Sequence, residues 1–301
     1  MGSIFCIGQA VYDITVPLSA PIVENQKYRI EEKHESGGGP AFNAAYLCGI
    51  WGADVFLISR LGNDEYGNKL RAMAKDAHIQ MDYLVLDDEI ETPYSYIFSN
   101  ASNGSRTLFN FPGKLKEIDY KYPKEEVSVI LSDGHEPEIS IGAIHAYPEA
   151  ISVVDAGTCR ESTLKVAKEV DYLVCSEDFA RQYTGKTPDI DHWELCLEIF
   201  REIEAINGKH VVITLGENGL LYKQNGEVRH LPAYKVTAVD TNGAGDIFHG
   251  AFVYGLYKNM ALQDILKLSS MSSAISVQKA GSQSSIPTLD TVKEALYKCL
   301  L

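Results

Sequence analysis

The chain has 301 residues, 45% of them apolar and 23% charged, and a formal charge of −14. That length suits one large α/β domain with a small appendage. The acidic balance argues against a nucleic-acid or anionic-membrane partner, and no apolar run reaches membrane-spanning length.

Residues 4–7 form a short apolar run that predicts a first buried strand. The stretch before it is too short and uncharged for a signal peptide. The opening Met-Gly is like a myristoylation start, but Cys6 stands where Ser or Thr is wanted. Asp13 follows that strand. In open α/β sheets ligands gather beyond the carboxyl ends of strands, where a carboxylate can bind two sugar hydroxyls; an ordinary loop Asp would look the same. Residues 15–36 hold two prolines, much charge and no helical period. Gly37, Gly38 and Gly39 lead through Pro40 into a helix predicted at 41–51, with Asn43 in its early turns. From there a polar side chain can reach a small ligand's hydroxyls, or merely be solvated. A strand at 55–59 and a helix at 67–77 follow. Residues 92–112 alternate polar and apolar around Asn103-Gly104, a hairpin-turn signal with arms at 94–99 and 107–111. Segments 15–36 and 92–112 thus read as β insertions. Paired with each other they would make a small sheet, a lid or an interface, outside an α/β core of 1–14, 37–91 and 113–301.

Further apolar runs at 127–131, 152–154, 172–175 and 211–215 alternate with helical patterns at 161–168, 192–206, 244–258, 262–278 and 289–300. Strand alternating with helix predicts a three-layer α/β/α core around a mostly parallel sheet. Thr214, Gly216 and Gly219 follow one such strand. Their backbone can approach a nucleotide, or simply turn into a second strand at 219–223. An extended run at 234–239 feeds the turn Gly243-Ala244-Gly245, with Asp246 just inside the next helix. Free N–H groups and the positive dipole end of that helix attract an anion. Asp246 is then a base beside an anion site, the pairing that phosphoryl transfer needs; a favourable helix-cap acid is the plainer alternative. P-loop, dinucleotide, nucleophile-elbow and zinc-protease signatures are absent. The six cysteines form no C-x-x-C pair and predict a reducing cytoplasm. His249, three residues after Asp246, reads as a residue on the helix face.

Asp240-Thr241-Asn242-Gly243-Ala244-Gly245-Asp246-Ile247-Phe248 resembles the carboxyl-terminal signature of the ribokinase-like (PfkB) carbohydrate kinases. Gly38-Gly39-Pro40-Ala41-Phe42-Asn43 with Leu61-Gly62-Asn63-Asp64-Glu65-Tyr66-Gly67 resembles the amino-terminal one. Asp13, Thr214-Leu215-Gly216 and 281–287 fall in the expected order, so the resemblance spans essentially the whole chain. It implies an ATP-dependent sugar kinase with a nine-stranded-type core, a β lid and dimerisation through that lid. It implies Asp246 as general base, with backbone N–H groups of Gly243, Ala244 and Gly245 on the phosphoryl charge. Asp13, Gly38, Gly39 and Asn43 would hold the sugar, and Thr214, Gly216 and Gly219 would line the nucleotide site. Asp240, Asn242, Ser276, Gly281 and Ser285 lie where some members bind a monovalent cation such as K+. The family's N-x-x-E, tied to Mg2+, is altered: Ser176 replaces the Asn and Phe179 the Glu. That leaves Glu177 or Asp178 to act through water. Pro40, where ribokinases often have Lys, weakens ribose as the acceptor; a ketohexose or keto-deoxy acid fits equally. A nucleoside kinase of the same fold, with Phe98, Phe109 and Phe111 stacking, and a non-catalytic sugar- or nucleotide-binding regulator are the rivals.

Overall fold

A computed structural model describes residues 2–100, 105–113, 118–279, 281 and 283–299. Strands rich in Val, Ile and Leu need cover on both faces, and they build one sheet. Its parallel part runs His210–Thr214, Tyr172–Ser176, Ile151–Ala156, Val127–Ser132, Ser3–Ile7 and Val55–Ile58, side by side. The antiparallel pair Leu220–Gln224 and Glu227–Leu231 extends the first edge. The sheet therefore has eight strands among the described residues, which corrects the expected nine. The extended run at 234–239 joins no sheet. It is mostly exposed, with Tyr234 packed partly against the core and Val236 and Val239 left at the surface, and its end is tied by Val239 N–H to Val277 C=O at 2.6 Å.

Alternation along each strand divides the core. Ile4, Cys6, Val129, Leu131 and Val153 face one side, where helices Pro40–Ile50, Ala244–Tyr257 and Leu262–Ser276 pack. Phe5, Ile7, Ile130, Val154, Leu173 and Ile213 face the other, under Pro137–Ala146, Glu161–Ala167, Glu177–Thr184 and Trp193–Asn207. No helix of the described residues is long and apolar enough to cross a membrane.

Parts of both insertions lie in one small sheet, which also takes residues 11–14 and 37–38, expected in the core, so Asp13 lies within a strand of that sheet. His34–Gly38, Val11–Leu18, Tyr94–Asn100 and Arg106–Phe111 form a separate four-stranded sheet, with Val11–Leu18 parallel to Tyr94–Asn100. The turn expected at Asn103-Gly104 lies outside the described residues.

One packing contact sets the geometry of the cleft. Helices Pro40–Ile50 and Ala244–Tyr257 meet at Gly250, where a Cβ would come 3.1 Å from the Ala44 backbone and 3.2 Å from Leu47 Cβ. A glycine in a helix interior is unfavourable by propensity, so close helix approach is its reason here. Gly250→Val should destabilise the fold by about 1–3 kcal/mol through overpacking, read as a lower urea midpoint, with Gly250→Ala milder.

Candidate active site

Asp246 lies in the first turn of helix Ala244–Tyr257, whose N-cap Gly243 sits at φ 73°, a left-handed conformation that favours glycine. Gly245 is exposed, and a Cβ there would meet nothing, so the turn faces open space. Ala244 N–H reaches back to Thr241 C=O at 3.3 Å. The amides next in the turn have no partner within the helix. With the helix dipole they make a place for an anion.

Across the cleft, Asn43 Nδ2 donates to Asp246 Oδ2 at 2.7 Å. Asn43 is 3% exposed, and its Oδ1 has no hydrogen-bond partner. An unsatisfied buried acceptor costs about 1–3 kcal/mol, which a ligand hydroxyl would relieve. Asp13 comes from the small sheet, in register with Ser36 and Ser95. It lies so close over Gly38 that any Cβ there would strike its carboxylate. Gly39, at φ 93°, likewise makes room for the Gln9 carbonyl. Burial first, then the charge of Asp246, push Asp13 up to about 6 against the hydrogen bond from Ser95. Burial also pushes Asp246 up to about 7; Asp155 and Asp133 act the same way, while Asn43 and His249 oppose. Asp13, Gly38, Gly39, Asn43 and Asp246 thus converge on one cleft.

Four further groups in this neighbourhood were missed by sequence reasoning. Asp133, fully buried, accepts from Gln9 N–H at 2.8 Å, His135 N–H at 2.9 Å and Ala41 N–H at 3.3 Å. Burial opposes its ionisation, but the His135 ring and these amides outweigh burial and hold its carboxyl below the ordinary range. Asp155, 7% exposed, ends strand Ile151–Ala156 and lies 3.1 Å from His249 Nδ1. Burial and Asp133 raise it to about 7 against the charges of His135 and Arg160. Arg160 Nη1 lies 2.6 Å from His135 Nε2. Asp133 follows and Asp155 ends a buried strand, the signal already applied to Asp13. His249, expected on a helix face, is 3% exposed and turned to the sheet.

On the nucleotide side the predicted residues divide. Thr214 Oγ1 donates to Cys175 C=O at 3.3 Å. Gly216 opens a 3-10 turn at φ 56° with nothing against it. Gly219 is needed for another reason: its missing Cβ makes way for the Leu231 carbonyl. Asp240 accepts from Asn242 N–H and Gly281 N–H, each at 2.9 Å, and has Arg106 Nη1 of the small sheet at 3.6 Å. Ser276 Oγ donates to Ser273 C=O at 2.8 Å within its own helix, and Ser285 is buried. Of the five candidates for a monovalent cation, Asp240, Asn242 and Gly281 are brought together, and Arg106 already supplies Asp240 with positive charge. Among the described residues no cluster of three or more His, Cys, Asp or Glu could hold a metal ion by itself.

The altered Mg2+ motif is explained by its helix. Ser176 is the N-cap of Glu177–Thr184, accepting from Phe179 N–H at 3.0 Å and donating to Gly157 C=O at 2.8 Å. Phe179 is wholly buried and stacks on Tyr183. Asp178 pairs with Arg181 at 2.7 Å. Glu177 remains the carboxylate suited to a hydrated divalent ion. Burial and Asp178 raise its carboxyl above the ordinary range.

A model of the pfkB family of carbohydrate kinases matches residues 1–289. A ribokinase of Lactococcus lactis is 32% identical over 273 residues, covering 86% of this chain and 85% of that one. A ribokinase of Staphylococcus aureus is 28% identical over 276 residues, covering 88% and 90%. The structure of an Arabidopsis thaliana ribokinase complexed with ribose and ATP superposes with a TM-score of 0.82 at 19% identity, covering 98% of each chain. With the family model spanning nearly its whole length, the chain belongs to the pfkB family carbohydrate kinases, phosphotransferases that act on alcohol groups.

Proposed function

We propose that the protein transfers the γ-phosphoryl group of ATP to a hydroxymethyl group of a small sugar or sugar acid, with Asp246 as general base. The observation that carries this reading is the contact of Asn43 with Asp246 beside an open helix N-terminus. Asp246 takes the hydroxyl proton as the substrate oxygen bonds to the γ-phosphorus and the bond to ADP breaks. Of the amides expected there, Ala244 N–H is given to Thr241 C=O, so those of Gly243 and Gly245 would meet the charge that develops. Asn43, donating to one oxygen of Asp246, holds the carboxylate while its own Oδ1 stands free for a sugar hydroxyl. Asp13 would take further hydroxyls, with Gly38 and Gly39 letting the backbone close in. The ribokinase bound to ribose and ATP supports both substrate classes. Thr214 and Gly216 would border the nucleotide. Glu177 would hold Mg2+ through water, and the ion would neutralise phosphate charge. A K+ ion at Asp240 would share that carboxylate with Arg106, so the reaction is not routed through it.

Arg160 narrows the acceptor. Its guanidinium meets His135 Nε2, Thr163 Oγ1 and the Asp133 carbonyl, and it makes no ion pair with a carboxylate among the described residues. Beside His135 at the ends of two core strands, it favours an acceptor with an acidic group. The aromatic residues of the small sheet engage one another: Phe98 meets Phe109 edge-on at 5.7 Å, and Tyr94 stacks on Phe111 at 4.5 Å. They give a nucleoside no special support. The small sheet would act as a lid. Its outer strand Arg106–Phe111 exposes Leu108 at 55%, which supports a homodimer through that sheet. The six unpaired cysteines suit a reducing cytoplasm.

Purified protein with MgATP and a panel of neutral and acidic sugars should release ADP with at least one acceptor; silence across the panel sinks the kinase reading. In the same assay Asp246→Asn should lower kcat by about 10²–10⁴-fold while ATP still binds. Because Asp246 must be ionised and stands at about 7, kcat/KM should rise as pH climbs through that value. Arg160→Gln should raise KM for acidic acceptors about tenfold or more and leave neutral ones unchanged. Sedimentation should show a dimer that Leu108→Glu converts to monomer.

A further inference from the structure

His249 has no role in the reaction as drawn, yet it is built into the fold with unusual completeness. It lies one helical turn beyond Gly245. Its Nδ1 is 2.7 Å from the Gly245 carbonyl and 3.1 Å from Asp155 Oδ2, and its Nε2 is 3.2 Å from the Val174 carbonyl. Three oxygens therefore surround a ring with two nitrogens. A neutral imidazole has one N–H and one lone pair. Whichever tautomer it adopts, one nitrogen would set its lone pair against an oxygen. A ring protonated at both nitrogens turns every one of these contacts into an attraction, with Asp155 as counter-ion. Both side chains are almost fully buried, and a buried charge survives only when paired.

We propose that Asp155 and His249 form a buried pair sharing one proton, which holds the 243–246 turn against the sheet and fixes the pH at which Asp246 can accept a proton. These are positioning residues, since neither touches a reacting atom. The role rests on Asp246 as the base. His249 ties the first turn of its helix, through Gly245, to strands Ile151–Ala156 and Tyr172–Ser176, so the pair braces the segment that carries Asp246. The pair is neutral overall, but its two halves act on Asp246 with opposite signs: the Asp155 charge raises it and the His249 charge lowers it. Burial on balance holds the His249 ring below the ordinary imidazole range, and its contacts to Gly245 and Val174 and the charge of Asp246 oppose this only in part; it is the three oxygens around the ring, Asp155 among them, that call for the second proton. Other charged groups around the pair are Asp133, His135 and Arg160 at the ends of the neighbouring strands and Asp13 from the small sheet. The buried Cys48 thiol of the adjoining helix donates to the Gly250 carbonyl one turn on, and burial raises it far out of the titrating range.

Two measurements on the whole protein test this. The first needs no substrate: nitrogen-15 NMR of the histidine rings. The His249 signals should stay constant from about pH 6 to about pH 8, where a free imidazole titrates. In Asp155→Asn they should shift to the neutral form. A His249 ring that titrates near the ordinary value in the native protein, or is unaffected by Asp155→Asn, overturns the pair. The second is the pH profile of kcat/KM with whichever acceptor the panel yields. Asp155→Asn should move the acid limb to lower pH and His249→Gln to higher pH, each by about half a unit or more. A merely structural role would lower the rate at all pH values and leave both limbs in place, and that outcome, or shifts of the same sign, overturns the tuning role. If one variant fails to fold, the other still gives a shift of defined sign. An absent ADP signal with intact NMR behaviour would indict the kinase reading and leave the pair standing.

Discussion

The 2.7 Å contact between Asn43 and Asp246 is the constraint around which the cleft is organised. The two residues are 203 positions apart in sequence and lie on different helices. Their meeting depends on how closely those helices can approach, and Gly250, one turn past Asp246, sets that distance against Ala44 and Leu47. Asp133 fixes the other end of the same arrangement. Its carboxylate takes the N–H of Ala41 at the start of the Asn43 helix and the N–H of Gln9 at the end of the first strand. A negative charge at a helix N-terminus is favourable, so Asp133 both anchors that helix and sets the height at which Asn43 stands over Asp246.

The price is four carboxylates in one region of a chain that already carries a charge of −14. The structure meets it in three physically different ways. Asp133 is kept ionised by amides and by His135. Asp155 is matched to His249. Asp13 is raised by burial and by Asp246, and Asp246 by burial, Asp155 and Asp133, so that both stand near neutrality, the range in which a carboxyl can exchange a proton with a substrate. No field from the whole protein would draw an anionic nucleotide into such a site. On the proposed reading the attraction is local, from the helix N-terminus.

Much of this was legible in the sequence because its signals are short-range. A glycine turn before Asp246, glycines before Asn43 and apolar runs between helical patterns are each contained in about ten residues, and they led to the core, the small sheet and the main members of the cleft. What sequence reasoning could not reach is contact between distant segments. Asp155 looks like any strand-end acid until the sheet sets it beside His249. Gly219 has the same appearance as Gly216, yet one is crowded by Leu231 and the other faces open space. The extended run at 234–239 has a strand-like alternation, but among the described residues it pairs with no strand; what holds its end is the Val277 carbonyl, more than thirty residues on.

The same long-range contacts join the two sides of the cleft. Gly37 N–H in the small sheet donates to Gln283 Oε1 at 3.0 Å, and Arg106 of that sheet reaches Asp240. Asp240 in turn accepts from Asn242 in the turn before Asp246 and from Gly281. Trp51, at the end of the Asn43 helix, donates to the Pro287 carbonyl at 2.9 Å. The strand that carries Asp13 is thus connected, through two polar contacts and one carboxylate, to the turn that carries Asp246. A ligand that draws the small sheet inward to satisfy Asp13 pulls on the same residues that shape the anion site. On the proposed reading, closure over the acceptor would assemble the phosphoryl site in the same motion and exclude water before transfer.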